Sequence, residues 1–574
     1  VKRPLQLDLW LCVVIASFAL LVWANWGKLE NPIIDIGREV EISARLADGQ
    51  FLYRDVATYY TPLGYYANAL ALLLFGHHLE VFYIVNLLLA LVATLLFYRL
   101  AKRLMNPLWA TLCSICMLIY CAIGPGPFNF IMPYSHGAVY AIVFSLVAIT
   151  CLDYYCTSQK QLRWLVAAGI TCGLAGLAKQ EYGVAVLGGV LIGVNVQTDK
   201  TLRSRLKQSI LVALVASICV IVPLSIYAQQ VSWEQLFSSL FPTSQIGAIN
   251  RGTVSLSRTL SVWWSTLKVF IVASSLILGS LVVAHRLSNF VKVPKKFRSL
   301  AEGLLSLAFS LLALYLLNRS SIFSNYNYYP PNASFNPLED LSWALPLLVG
   351  WFSLARKQLS LSKHAPLLSA LLVFSLILNA RWGFYINFYG LYALPVIILF
   401  FTLLYNIPQR FKRVVCHYLV ICLVISGTFK LGGLLIRYPH AVHSSSGSFY
   451  VKNASLAQAL NQTVAAIDAA KVSSVLILPE GNILNFMTAT HSPSRELTFL
   501  PHVLPTARDE QAFIADMQMH RPELIVYVPR PFAEWGYQTY TDFNPLVDHW
   551  ITQQHRLVHS FPIDSSKIRI YVSK

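Results

Sequence analysis

The chain has 574 residues, 56% of them hydrophobic and 12% charged, with a mean hydropathy of +0.56 and a formal charge of +18. So much apolar surface cannot be buried in a single soluble core, and the composition is that of a polytopic α-helical membrane protein. A basic chain could bind nucleic acid, but the Lys and Arg residues are spread over separate short loops rather than gathered in one domain, which excludes that class.

Apolar runs long enough for a hydrocarbon core about 30 Å thick predict thirteen membrane helices. They lie near 7–26, 80–100, 107–123, 135–155, 162–178, 182–197, 210–228, 262–284, 300–317, 341–355, 366–380, 388–405 and 415–436. After about Ile436 the pattern stops, which divides the chain into a transmembrane part, 1–436, and a C-terminal soluble α/β domain, 437–574. Residues 1–26 have the basic start and apolar core of a signal peptide. No small-residue cleavage pattern follows, and Trp23 and Trp26 stand where interfacial anchors belong, so an uncleaved first helix is expected.

Lys2 and Arg3 place the N-terminus in the cytoplasm. Lys102 and Arg103, Lys160 and Arg163, and the basic stretches 198–207, 292–298, 355–363 and 409–413 all fall on the same side. The outward side then receives 27–79, 124–134, a turn near 179–181, 229–261, 318–340, 381–387 and the C-terminal domain. The net charge is on this reading mostly topological. The ten cysteines lie in or beside the helices and form neither a disulfide framework nor a metal spacing. Sequons at Asn332, Asn453 and Asn461 are expected to be unmodified.

The stretch "NPIIDIGREVEISARLADGQFLYRD", 31–55, concentrates five acids and three arginines in the first outward loop, 27–79. Val40, Ile42, Leu46 and Phe51 are spaced as one apolar side of a short interfacial helix, and "TPLGYYANALALLLFGHH" at 61–78 predicts a second interfacial or re-entrant helix. On a helix beginning at Asp35, Glu39 shares its face and Arg38 can pair with the Asp35 carboxylate, giving a compact cluster of acid and base. A charged, solvated loop would show the same composition. Three further outward elements add weight to the cluster. "GLAGLAKQEYGVAVLGG" at 173–189 sets Lys179 and Glu181 at a tight helix–helix turn; "GPGPFNFIMPYSHGAVYA" at 124–141 carries Asn129, Tyr134 and His136; and "NARWGFYINFYGLYALP" at 379–395 carries Arg381 among aromatics. Lys179 and Arg381, cations without a sequence-local acid, suit a phosphate, with Arg38 and Arg54 as further candidates. His136 alone reads as a hydrogen-bonded helix-end residue. Tyr60, Tyr65, Tyr134, His136 and Glu181 are candidates to line the pocket.

This order of elements resembles the GT-C class of membrane glycosyltransferases, in particular the protein O-mannosyltransferases and the bacterial lipid A aminoarabinose transferases. The elements concerned are a first helix, an outward loop with an early Asp, "PLGYYANALALLLFG", a helix ending in basic residues, and a Gly-rich helix ending in Lys. The likeness covers most of the chain and is strongest over 30–200. It implies a thirteen-helix layout with an outward C-terminal domain. It also implies transfer of a sugar from a polyprenyl phosphate, such as undecaprenyl phosphate, to an acceptor hydroxyl with inversion, and no nucleotide. The family's acidic residue in the first loop corresponds to Asp35, implied to be the catalytic base with Glu39 in reserve, and its Lys after the fifth helix to Lys179. The chain departs from the aminoarabinose branch in having Tyr60 and Thr61 where that branch has a Lys, and in having "MPYSHGAVYA" where it has an acid, so that His136 or Tyr134 would substitute.

The expected partners are a polyprenyl-phosphate sugar, the lipid bilayer and an acceptor that is glycan, lipid or protein; the expected location is a bacterial inner membrane with the C-terminal domain in the periplasm. No cofactor is expected. Absence of a D-x-D pair points away from a divalent metal, although Asp35, Glu39 and Asp55 could converge. A transporter or flippase for lipid-linked sugars, a surface-polysaccharide polymerase or ligase, and a structural scaffold are the competing readings. Against the first stand the absence of an internal repeat and a charged cluster placed in a loop; against the second, that the early loop is the charged one. In the C-terminal domain, 472–501 predicts strand, Pro-Glu-Gly turn, short helix and strand, and 510–529 predicts a helix followed by a strand.

Overall fold

A computed structural model describes residues 8–157, 161–197, 201–241, 256–291, 293–319, 338, 341, 343–355, 363–380 and 390–574. Arg381, the sequon at Asn332 and most of the loops 318–340 and 381–387 lie outside the described residues.

The described residues are mostly helical, and five helices are long and apolar enough to cross a membrane. These spans are Leu79–Leu104, His136–Thr157, Leu202–Tyr227, Thr259–Phe290 and Gln409–Ile436. Shorter apolar helices stand between them: Leu9–Asn25, Leu162–Ala178, Ala344–Leu354, Ala365–Ala380 and Leu394–Tyr405. The helix His136–Thr157 is buried along nearly its whole length and packs against Leu79–Leu104, Leu162–Ala178 and Gln180–Asn195. At one end of this bundle, Lys102 pairs with Asp8 at 2.5 Å, and Arg99 and Arg103 pair with the buried Asp153 at 3.3 and 3.0 Å. Lys102 and Arg103, read from the sequence as topology signals, therefore also help to tie three helices together, with Arg99 beside them.

At the other end the first loop folds into two helices, here α1 (Ile36–Ala47) and α2 (Leu63–Phe75). Asp48 and Gly49 stop α1; Gly49 has a φ of +89°, where a glycine meets no steric cost. Phe51 is therefore past the helix end, against Tyr227 at 5.2 Å, and does not extend the helical stripe expected from the sequence. Nor is α1 a half-solvated interfacial helix. Ile36, Val40, Ile42 and Leu46 are buried, and so are Glu39, Glu41 and Arg45 on its polar sides. The C-terminal segment covers the face that an interfacial helix would give to water.

That segment begins with a hairpin, β1 (His440–Ser444) and β2 (Gly447–Val451). A four-stranded sheet follows in the order β3-β4-β6-β5, from Val475–Leu478, Leu524–Tyr527, Ser566–Ser573 and His555–Ile563. β3 and β4 are parallel and the other pairs antiparallel; β3, "VLIL", is apolar and buried throughout, as a strand covered on both faces requires. The second strand expected before 501 does not form. Residues 489–506 are irregular; Leu497 and Phe499 are buried without a ladder, and the Phe499 N–H donates to the Pro479 carbonyl. Their apolar alternation reflects side-chain burial rather than strand pairing.

Candidate active site

Three backbones converge where α1 meets the bundle. A Cβ on Gly64, in α2, would lie 2.8 Å from the Gly137 Cα, and one on Gly137 would lie 2.3 Å from the Ala178 carbonyl oxygen. Glycine at both positions lets "PLGYY", "SHGAV" and "GLAKQE" touch. The last of these breaks two helices at a single residue: Lys179 ends Leu162–Ala178 and precedes Gln180–Asn195 in an extended conformation. Its side chain is fully buried in the space between the three segments.

Asp35 sits at the entry to α1 with φ +60° and ψ −52°, and the Ile36 N–H donates to the Ile34 carbonyl at 2.6 Å. This is a γ-turn of the strained, positive-φ kind, costing on the order of 1–3 kcal/mol at a non-glycine residue. The turn directs the Asp35 carboxylate, 30% exposed, onto Arg38 at 3.0 Å. Glu39 has the opposite environment. Its carboxylate is 1% exposed, accepts from the Tyr65 hydroxyl at 2.7 Å and the His136 backbone N–H at 2.9 Å, and lies 3.4 Å from Arg38. Burial raises the Glu39 pKa, with Arg38, Tyr65, His136 and Lys179 pulling the other way. Burial opposes the charge of Arg38, and Asp35, Tyr60 and Glu39 outweigh it, so its pKa is held above the usual value.

Lys179 Nζ donates to the Tyr134 hydroxyl at 2.8 Å, lies 3.8 Å from Glu181, and sits over the rings of Tyr60 and Tyr134 at 4.2 and 4.4 Å. Glu181 is thus a local acid for Lys179, contrary to the expectation of a cation without one. Arg38 joins the two halves: its guanidinium donates to the Tyr134 carbonyl at 3.3 Å and faces the Tyr60 ring at 5.6 Å. Among the expected residues, the structure brings together Asp35, Arg38, Glu39, Tyr60, Tyr65, Tyr134, Lys179 and Glu181. His136 joins through its main chain. Its ring lies against Asn86, with Nδ1 2.6 Å from the amide nitrogen, and against Phe82. Arg54 is turned away, forked onto Asp55 with both contacts at 2.8 Å and reaching Gln230 at 3.3 Å. Asp55 is in turn held by Arg54 and the Phe51 N–H, and does not converge with Asp35 and Glu39. Among the described residues, no three His, Cys, Asp or Glu side chains are grouped to hold a metal ion.

Two participants escaped the sequence reading. The Tyr392 hydroxyl donates to Glu181 at 3.1 Å and lies 3.3 Å from the Tyr134 hydroxyl; Thr58 Oγ1 lies 3.1 Å from the Tyr65 hydroxyl. The aromatic stretch 379–395 carries a signal for the first. Nothing local marks Thr58.

Residues 60–227 match the sequence profile of the dolichyl-phosphate-mannose-protein mannosyltransferase family. The match takes in Tyr60, Tyr65, Tyr134, His136, Lys179 and Glu181 and begins after Asp35, Arg38 and Glu39. The chain thus resembles the GT-C class of membrane glycosyltransferases. Among solved structures it is similar to the oligosaccharyltransferase of Archaeoglobus fulgidus, at 14% identity over 98% of this chain and 73% of that one, with a TM-score of 0.48. It is also similar to ArnT from Cupriavidus metallidurans bound to undecaprenyl phosphate, at 14% identity over 98% and 97%, with a TM-score of 0.44. No curated protein sequence matches the chain.

Proposed function

We propose that the chain transfers a sugar from a polyprenyl-phosphate donor to an acceptor hydroxyl, inverting the anomeric carbon. The observation that carries this reading is the meeting of Asp35, Arg38 and Glu39 from the first loop with Lys179 and Tyr134 from two other segments. The family profile over 60–227 supports it, being named for a lipid-phosphate sugar donor and a protein acceptor.

In this reading Asp35 is the general base, because its carboxylate is partly exposed whereas that of Glu39 is enclosed by three donors. The acceptor oxygen bonds to the anomeric carbon and gives its proton to Asp35. The bond from that carbon to the phosphate oxygen breaks, and the polyprenyl phosphate leaves with the electron pair. Arg38 and Lys179 stabilise the charge that develops on it, in surroundings where fixed cations act more strongly than in water. Glu39 holds Arg38 and the start of the helix His136–Thr157 in register. Arg381 remains a candidate for the same phosphate. The transmembrane part is taken as 1–436, and the C-terminal segment, 437–574, as facing the same side as the site.

The test is transfer of labelled sugar from a panel of polyprenyl-phosphate sugars to a membrane extract, with wild type, Asp35→Asn and Lys179→Ala at equal folded yield. Asp35→Asn is expected to lose about 10²–10⁴ in rate, and Lys179→Ala to lose transfer as well. Undiminished transfer by Asp35→Asn ends its role as base; no transfer by the wild type from any donor overturns the reading.

A further inference from the structure

The mechanism leaves most of the charge in the first loop unused. Glu41 and Arg45 on α1, and Asp48 just past its end, meet residues 491–495 of the C-terminal segment. His491 Nδ1 is 3.3 Å from Glu41 Oε1, and its Nε2 is 2.9 Å from Asp48 Oδ2. Glu41 is fully buried, and its second carboxylate oxygen has no hydrogen-bond partner among the described residues. The contact of His491 with Glu41 is a hydrogen bond and that with Asp48 an ion pair; a neutral imidazole can keep the bond to Glu41, but only the imidazolium carries the positive charge that both carboxylates face. Other bonds run beside this one. Arg45 donates to the Ser494 carbonyl at 2.8 Å, Arg495 to the Tyr53 carbonyl at 3.0 Å, and the Ala57 N–H to the Arg495 carbonyl at 3.0 Å. At the start of α1, a Cβ on Gly37 would lie 2.2 Å from the Ile483 nitrogen, so the C-terminal segment touches the helix two residues from Asp35.

We propose that His491 is a positioning residue which, as an imidazolium bridging Glu41 and Asp48, clamps the C-terminal segment onto α1 and so fixes Asp35 and Glu39 against Lys179. It touches none of the reacting groups. The hydrogen bond to Glu41 raises the His491 pKa; burial opposes it, the Glu41 and Asp48 charges add to it, and Arg45 pushes the proton off. The folded-state pKa is therefore above the unfolded one. The stabilisation is fully present below about pH 6.5 and is lost as the pH rises through the folded value. The buried Glu41 carboxylate and that of Asp48 then face an imidazole without charge.

The clamp is defined by geometry, and the transferase reading enters only in its effect on rate. Amide hydrogen exchange over 36–48 is measured on the full chain in detergent between pH 6 and pH 9, corrected for intrinsic exchange, for wild type, His491→Gln and His491→Arg. Wild-type protection is expected to fall across this range, by about tenfold for each unit by which the fold raises the His491 pKa. His491→Gln is expected to be weakly protected at every pH, and His491→Arg to be independent of pH. In the transfer assay kcat follows the same profile while the KM for donor stays constant. Wild-type protection that does not change with pH, or that equals His491→Gln at pH 6, overturns the proposal. Should His491→Gln fail to fold, the wild-type series against His491→Arg decides. Absence of transfer in every protein removes the transferase reading and leaves the exchange result to decide the clamp.

Discussion

Replacing Glu39 offers the most direct measure of how the site is held. In Glu39→Ala the Tyr65 hydroxyl and the His136 N–H lose the acceptors they have at 2.7 and 2.9 Å, and Arg38 keeps Asp35 as its carboxylate partner. A buried donor left unsatisfied costs about 1–3 kcal/mol, and removing one member of a buried ion pair about 3–5 kcal/mol. The terms overlap, since Tyr65 can turn to Thr58 and the Arg38 side chain is 12% exposed. A net loss of about 3–5 kcal/mol is expected. Glu39→Gln should cost less, about 1–3 kcal/mol, because its amide oxygen can accept from the His136 N–H while its NH2 donates to Tyr65. The charge opposite Arg38 is then the main loss. The assay is thermal unfolding at fixed detergent and pH, followed by tryptophan fluorescence, with the order wild type, Glu39→Gln, Glu39→Ala expected in apparent Tm. Glu39→Ala within about 0.5 kcal/mol of wild type, the ordinary range for surface changes, would refute the view that Glu39 organises this site.

Gly137→Ala should lower both Tm and transfer rate, because the new methyl would press on the Ala178 carbonyl, a backbone atom beside Lys179, with a cost of about 1–3 kcal/mol typical of overpacking. Gly350→Ala, inside a helix and with nothing within 4 Å of the added carbon, serves as the control: it should leave transfer unchanged and hold or slightly raise Tm. His502 gives a pH dependence opposite to that of His491. Burial lowers its pKa from 6.5 to about 4, so the unfolded chain binds a proton there that the folded chain refuses. Stability contributed at this position is complete above pH 6.5 and declines as the pH falls toward 4. His502→Phe, which keeps the ring contacts with Tyr59 and Trp535, should flatten the acid side of a Tm-against-pH curve; an unchanged acid limb would show that another group governs it.

Much of the site was legible because its charges are costly. Asp35, Arg38 and Lys179 stand in a chain where 12% of residues are charged, and their segments are the ones that meet. The spacing of Asp35 and Arg38 gave their ion pair correctly, since residues three apart on a helix are neighbours. Spacing could not show that Glu39 would reach the main chain of His136, 97 residues on, or that Tyr392 would bridge Tyr134 and Glu181. It also gave Arg54 equal standing with Arg38. A bidentate Asp next in sequence captured the first, a local pairing that helical spacing passed over.

By itself the sequence determined that this chain is rich in apolar helices, because length and hydropathy act locally, and that its early loop concentrates acid and base. Tertiary structure decided what that charge does. One set on α1 turns inward to Lys179 and Tyr134, and the other turns to His491 and Ser494. A helix with polar residues on two sides reads as half-solvated until a second body covers it. Here that body comes from more than 400 residues later, as the bond from Arg45 to Ser494 spans 449 positions, a separation that no window of local sequence can contain.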